Sequence, residues 1–174
     1  MKRKSPSQHL YLLHRLDQDT SGLLVFAKTS LARKQLIEQF QRHLVLREYV
    51  AVTDGIPSQD RGSIRTFLGR DTKGKRSVMK KGRLAVTDFE VLLRNESRNR
   101  ALILCRLKTG RTHQLRIHLA HLGTPVVGDA VYGRKSSSRL ALHACTLGFL
   151  HPRTGRPILF YSSLPVELKR QMKY

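Results

Sequence analysis

The chain has 174 residues, 40% of them hydrophobic, which suits one domain with its own core and excludes a disordered basic tail. Lys and Arg outnumber Asp and Glu by 33 to 12, giving a formal net charge of +21, the footprint of a polyanionic partner. No apolar stretch approaches the ~20 residues of a membrane span. Basic membrane-surface helices carry a continuous apolar face and no carboxylate motif of the kind found at residues 14–22, so nucleic acid is favoured over a membrane.

Residues 1–9 (MKRKSPSQH) read as a loose basic arm. No apolar segment follows them, so no signal peptide is expected and the cytoplasm is the default. Residues 23–27 (LLVFA) form a short apolar run that predicts a buried strand. Thr29 or Ser30 caps a helix over about residues 31–43, whose Ala32, Leu36, Ile37, Phe40 and Leu44 share one face. LREYVAVT at 46–53 is rich in strand formers and ends at Asp54-Gly55. Residues 61–83 hold nine Lys or Arg against one acid, Asp71. They read as an extended basic excursion, with a hairpin as one form of it, and either as a charged surface loop or as an RNA contact through residues such as Lys75 and Arg76.

Residues 86–93 alternate as a half-buried strand, and 101–107 form another. A helix is expected over 112–122, with Thr112 as N-cap, Leu115, Leu119 and Leu122 on one face and Gly123 as its stop. After a turn region come strands near 141–149 and 157–161, then a terminal helix opened by Ser163-Leu164-Pro165. Strands with interspersed helices and no regular βαβ alternation predict an α+β fold with a mixed, mostly antiparallel sheet. Residues 10–174 form its one domain. Cys105 and Cys145 are isolated in apolar runs and read as buried free thiols of a reducing compartment.

Two segments carry chemistry. HRLDQDTSG at 14–22 sets Asp17 and Asp19 on a loop that ends at Gly22 and a strand, a rigid mount for a catalytic group. The plain alternative is that either aspartate only caps a turn or pairs with Arg15. GRTHQLRIH at 110–118 places Arg111 before a helix and Arg116 one turn in. An inward-facing Arg116 needs a carboxylate partner, and Asp17, held ionised, would meet that need; the plain alternative is that Arg111 and Arg116 both face solvent or touch phosphate. His113, His118 and His121 lack the acid and spacing of a metal motif, so no metal is expected. Phosphate-loop, dinucleotide and nucleophile-elbow motifs are absent, so no nucleotide cofactor is expected.

HRLDQDTSGLLVFAKT, REYVAV, LKTGRTHQLRIHLAHLGTPVVGDAVYG and RLALHACTLGFLHPRTG resemble, in that order, the RluA-type pseudouridine synthases. The resemblance implies the pseudouridine synthase fold around one RNA-binding cleft. It also implies isomerisation of a uridine in rRNA or tRNA without cofactor or metal, by a monomer. By the same resemblance, Asp17 matches the aspartate that attacks the uridine or its sugar, so that the base detaches, rotates and reattaches through C5. Tyr49 matches the tyrosine that packs on the base and assists proton removal. Arg116 matches the arginine that pairs with the aspartate, and Arg15 the one that fills the gap left by the flipped nucleotide. Leu115 and Leu142 match apolar residues near the base. Flipping accords with the need to take a reacting base out of its stack.

The chain departs from the family at its front. Thirteen residues precede His14, and none resembles the strand and Lys-Pro segment that members usually carry there. An uncovered sheet edge or apolar surface is the expected consequence, with lowered stability or self-association. The alternative function is a non-catalytic RNA-binding or assembly protein that keeps the fold.

Overall fold

The computed structural model describes residues 10–134 and 138–172; the expected basic arm at 1–9 lies outside the described residues. The elements are, in order, β1 (Tyr11–Leu12), β2 (Ser21–Gly22), β3 (Phe26–Ala27), α1 (Ser30–Gln41), β4 (Leu46–Asp54), β5 (Arg61–Arg70), β6 (Arg76–Met79), β7 (Arg83–Asn95), β8 (Arg100–Leu107), α2 (Gln114–His121), β9 (Leu142–Leu150), β10 (Pro157–Tyr161) and α3 (Val166–Met172). Seven strands form one sheet in the order β10-β9-β4-β8-β7-β5-β6, and β2 joins it by pairing with β9. The seven pair antiparallel, and β2 alone runs parallel to its partner. This is the expected α+β class. No helix among the described residues is long and apolar enough to cross a membrane.

Strand β4 is central, and Tyr49 through Thr53 are all buried, so both faces of the sheet are covered there. β8 buries Ala101, Ile103 and Cys105 in alternation, and β7 buries Ala85, Thr87 and Phe89. The alternation expected over 86–93 holds through Phe89 and breaks at a register shift between Val91 and Leu93, where Leu92 and Leu93 are exposed. Leu168 and Met172 of α3 complete the main core.

The run at 23–27 is not a core strand. Its backbone passes from β2, on the main sheet, to β3, which pairs with β1 in a separate two-stranded ribbon. Leu24 and Phe26 are exposed and only Ala27 is buried. A short apolar run has the same composition whether it is buried or crosses between sheets. Leu10, Leu12 and Leu31 add further exposed apolar surface in this part of the chain.

Helix α1 begins where Thr29 caps it, accepting from the Ala32 N–H at 3.2 Å. Helix α2 departs from expectation. Its N-cap is His113, held in the left-handed region at φ 56° without a side-chain cap, rather than Thr112. Gln114 fixes the entry instead. Its Oε1 accepts from the Arg111 N–H and the Thr109 hydroxyl, while its Nε2 donates to the Val86 carbonyl and the Thr87 hydroxyl.

Gln114 through Leu119 are all buried, so α2 is an interior helix rather than one with a single apolar face. Leu115 and Leu119 enter the main core, Ile117 packs with Leu68 and Ala85, and Leu122 stays exposed. Interior polar residues then need partners. His118 finds two: its Nδ1 lies 2.9 Å from the Thr87 hydroxyl and its Nε2 lies 3.0 Å from that of Thr66. Burial, and secondly the charge of His121, push His118 down to about 4, so it is a neutral link between strands.

Within residues 61–83 the chain takes the hairpin form of the expected excursion, β5 pairing with β6 within 61–79 before β7 begins at Arg83. Asp71 closes its turn by accepting from the N–H groups of Lys73 and Lys75. Cys105 is a buried free thiol, as expected, whereas Cys145 is only half-buried.

Candidate active site

The loop between β1 and β2 is anchored at both ends. At the start, His14 Nε2 accepts from the Val25 N–H at 3.2 Å, and its ring stacks on Phe40 at 4.9 Å. Burial, and then the Arg47 charge, push His14 down to about 4, which keeps Nε2 free to accept. At the end, Ser21 Oγ lies 2.9 Å from His143 Nδ1 and accepts from Arg139 at 2.7 Å. Between them the Thr20 N–H donates to the Asp17 carbonyl at 3.1 Å.

Gly22 is the residue that lets the loop reach β9. Its φ is +112°, and a Cβ there would overlap the backbone of Ala144. Gly22→Ala should therefore cost on the order of 3 kcal/mol and release the loop from β9, lowering stability in chemical denaturation. A cost below about 1 kcal/mol would show that the β2–β9 pairing does not hold this loop.

The loop forms one wall of a cleft of about 640 Å³ between β4, α1 and the segment before α2. Arg15, Asp17, Tyr49, Arg111, Leu115 and Leu142 all line it, so residues far apart in sequence meet there. Asp17 is the one acid among the described lining residues. Tyr49 is 8% exposed. Burial pushes its phenol up to about 12, with Arg47 opposing and the charge of Asp17 reinforcing. Arg111 is tied by its Nε to the Leu84 carbonyl at 3.0 Å. Lys75 and Arg76, in and beside the hairpin turn, do not line the cleft; Lys75 lies over the Tyr132 ring at 4.9 Å, and the charges of Arg76 and Asp17 both act on that tyrosine.

The expected Asp17–Arg116 ion pair is not formed. Arg116 makes a two-pronged pair with Asp129, Nε to Oδ2 and Nη2 to Oδ1, both at 2.7 Å. Asp129 is buried and also accepts from the N–H groups of Val131 and Tyr132. A second carboxylate, in the segment after α2, thus meets the need that the sequence assigned to Asp17. Arg116 does not line the cleft and lies over the Tyr132 ring at 5.2 Å. Its pKa is raised first by hydrogen bonding to Asp129, against burial, and then by the charges of Asp129 and Asp17. Asp17 therefore still feels this cation.

The family model for RNA pseudouridylate synthases matches residues 1–121. The chain belongs to that family. It is 43% identical over 162 residues to the uncharacterized RNA pseudouridine synthase YlyB of Bacillus subtilis, covering 90% of this chain and 53% of that one. It is 38% identical over 177 residues to the ribosomal large subunit pseudouridine synthase D of Zymomonas mobilis, covering 93% of this chain and 55% of that one. The human RNA pseudouridylate synthase domain containing 1 superposes with a TM-score of 0.80 at 28% identity, over 89% of this chain and 69% of that one. The chain spans about half the length of the curated relatives it matches.

Within this fold, sequence reasoning missed Arg47, His14 and Asp129. Arg47 lies two residues before Tyr49, so the strand period puts both on one face, a signal present in REYV. Asp129 stands in VVGDAVYG, an acid in an apolar setting in a chain poor in acids, and that is its only signal. His14 begins HRLD, where the charged residues after it carry the stronger signal.

Proposed function

We propose that this chain carries the catalytic unit of an RNA pseudouridine synthase, which isomerises a uridine of rRNA or tRNA in the cytoplasm, as a monomer, without metal or cofactor. The observation that supports this reading is the cleft itself: one carboxylate, Asp17, among arginines and beside Tyr49, Leu115 and Leu142. A polyanion is drawn to such a site, and a flipped base has apolar walls to lie against.

Asp17 is the nucleophile that attacks the uridine or its sugar. The base detaches, turns and rejoins the sugar through C5, and the C5 proton is lost to solvent while N1 is freed to carry one. Tyr49 enters as a neutral phenol, because burial holds it far above neutral pH. Its role is to pack on the base and offer its hydroxyl. Arg116, fixed by Asp129, supplies a positive field at Asp17. Arg15 occupies the space vacated by the base.

The test is tritium release from RNA labelled with [5-³H]uridine, with the modified position mapped in rRNA and tRNA. Release above background is expected. RNA binding without release would favour the alternative, a non-catalytic RNA-binding protein of this fold.

The hairpin contributes affinity. Lys73, Lys80 and Lys81 are exposed and Arg76 is half-buried. Lys75 is committed elsewhere, donating to the Val131 carbonyl at 2.7 Å and lying over the Tyr132 ring. Replacing Lys73, Arg76, Lys80 and Lys81 by Ser should weaken RNA binding and flatten its salt dependence by about 0.7 for each single-strand phosphate left unneutralised. The weakening should appear in KM. An unchanged salt slope would mean that the hairpin does not touch RNA.

A further inference from the structure

Two buried side-chain polar atoms among the described residues have no hydrogen-bond partner: Thr20 Oγ1 and Arg47 Nε. Both residues line the cleft. Buried polar atoms in native proteins are almost always paired, so two orphans in one cavity mark a place that a ligand completes. Arg47 is the stronger signal. Among the described residues it makes no ion pair, and its guanidinium rests over the Phe40 ring at 5.9 Å. Gly110 gives it room, because a Cβ there would fall 2.6 Å from Arg47 Nη1. Burial lowers the pKa of Arg47, with the nearby Tyr49 opposing. A partly desolvated cation with no counter-charge costs the folded state free energy, and packing alone does not require it, since an uncharged side chain would fill the same space.

We infer that Arg47 anchors a backbone phosphate of the RNA, that of the nucleotide whose base enters the cleft beside Tyr49. The inference rests on the RNA-modifying reading of the cleft. A planar guanidinium matches two phosphate oxygens at once, and the phosphodiester supplies the counter-charge that the protein withholds. Thr20 adds an uncharged hydroxyl donor to the same cleft. The site therefore takes its anion from the substrate, and Arg47 couples grip on the backbone to entry of the base.

The experiment compares the full chain with Arg47→Gln and Arg47→Lys, using a labelled ten-residue oligouridylate at 50–200 mM KCl and the same oligomer with uncharged methylphosphonate linkages. Arg47→Gln should weaken binding of the phosphodiester by about tenfold or more and flatten the salt slope by about 0.7. It should melt at the same temperature as the parent or higher, because it removes an unpaired charge; a merely structural arginine would lower the melt instead. On the methylphosphonate oligomer, parent and variant should bind alike. Arg47→Lys should keep the salt slope and lose only part of the affinity.

An Arg47→Gln chain with the parental slope, a parent that shows no salt-dependent binding, or a difference that persists on the uncharged backbone overturns the inference. The last outcome would assign Arg47 to the uracil ring. Tritium release by the parent is scored separately. Binding that behaves as expected without release would sink the catalytic reading and leave the anchor standing, and release with an unchanged Arg47→Gln slope would do the reverse.

Discussion

Asp17→Asn should abolish tritium release from [5-³H]uridine RNA, by about 10⁴-fold or more, while RNA affinity holds or tightens slightly. The amide has nearly the same shape as the carboxylate but cannot attack as an anion. Asp17 makes no ion pair among the described residues, so its neutralisation strands no buried cation. The loop anchors are elsewhere, at His14, Ser21 and Gly22, and the bond at Asp17 itself uses its carbonyl. The melting temperature should therefore stay within a few degrees of the parent's. If the cleft meets RNA as proposed, removing one negative charge from it favours binding, which sets the sign of the affinity change. A variant that turns over within tenfold of the parent would exclude Asp17 as the nucleophile.

Strands β4 and β8 are legible from their β-branched and apolar composition, and the first half of β7 from its alternation, because these are local properties that the sheet preserves. Helix α1 was legible for a similar reason, since Thr29 caps its own neighbours. The sequence and the structure part where a local segment depends on a distant partner. Residues 23–27 looked like a core strand because nothing in LLVFA says which edge it will meet. Thr112 looked like an N-cap until Gln114, reaching back to β7, took over the entry to α2.

Asp17, Tyr49, Leu115 and Leu142 were gathered into one cleft because the family resemblance carried long-range information that spacing alone lacks. Arg116 shows the limit of the physical argument. Its need for a carboxylate was legible, but two carboxylates competed, and only the folded path of residues 124–133 decides for Asp129.

That pair is the second place where a large effect is expected. Asp129→Ala should destabilise the chain by about 3–5 kcal/mol, because it leaves Arg116 buried without its counter-charge and removes the acceptor for two backbone N–H groups. For a chain of this length that corresponds to a fall in melting temperature on the order of 10 °C. Burial works to raise the Asp129 pKa, but hydrogen bonds from Arg116, Tyr132 and Val131, with the Arg116 charge, outweigh it and hold the carboxyl below its usual value. The folded pKa is thus depressed, so the stability it gives is present above about pH 3.9 and is lost as pH falls through the lower folded value. The variant should lack that part of the acid transition.

Arg116→Met in the Asp129→Ala background should recover much of the stability, since it removes the stranded charge rather than adding a new interaction. A single variant that melts within about 2–3 °C of the parent, or a double variant less stable than the single by the full cost of a second core lesion, would show that the Asp129 carboxylate is not what keeps Arg116 in place.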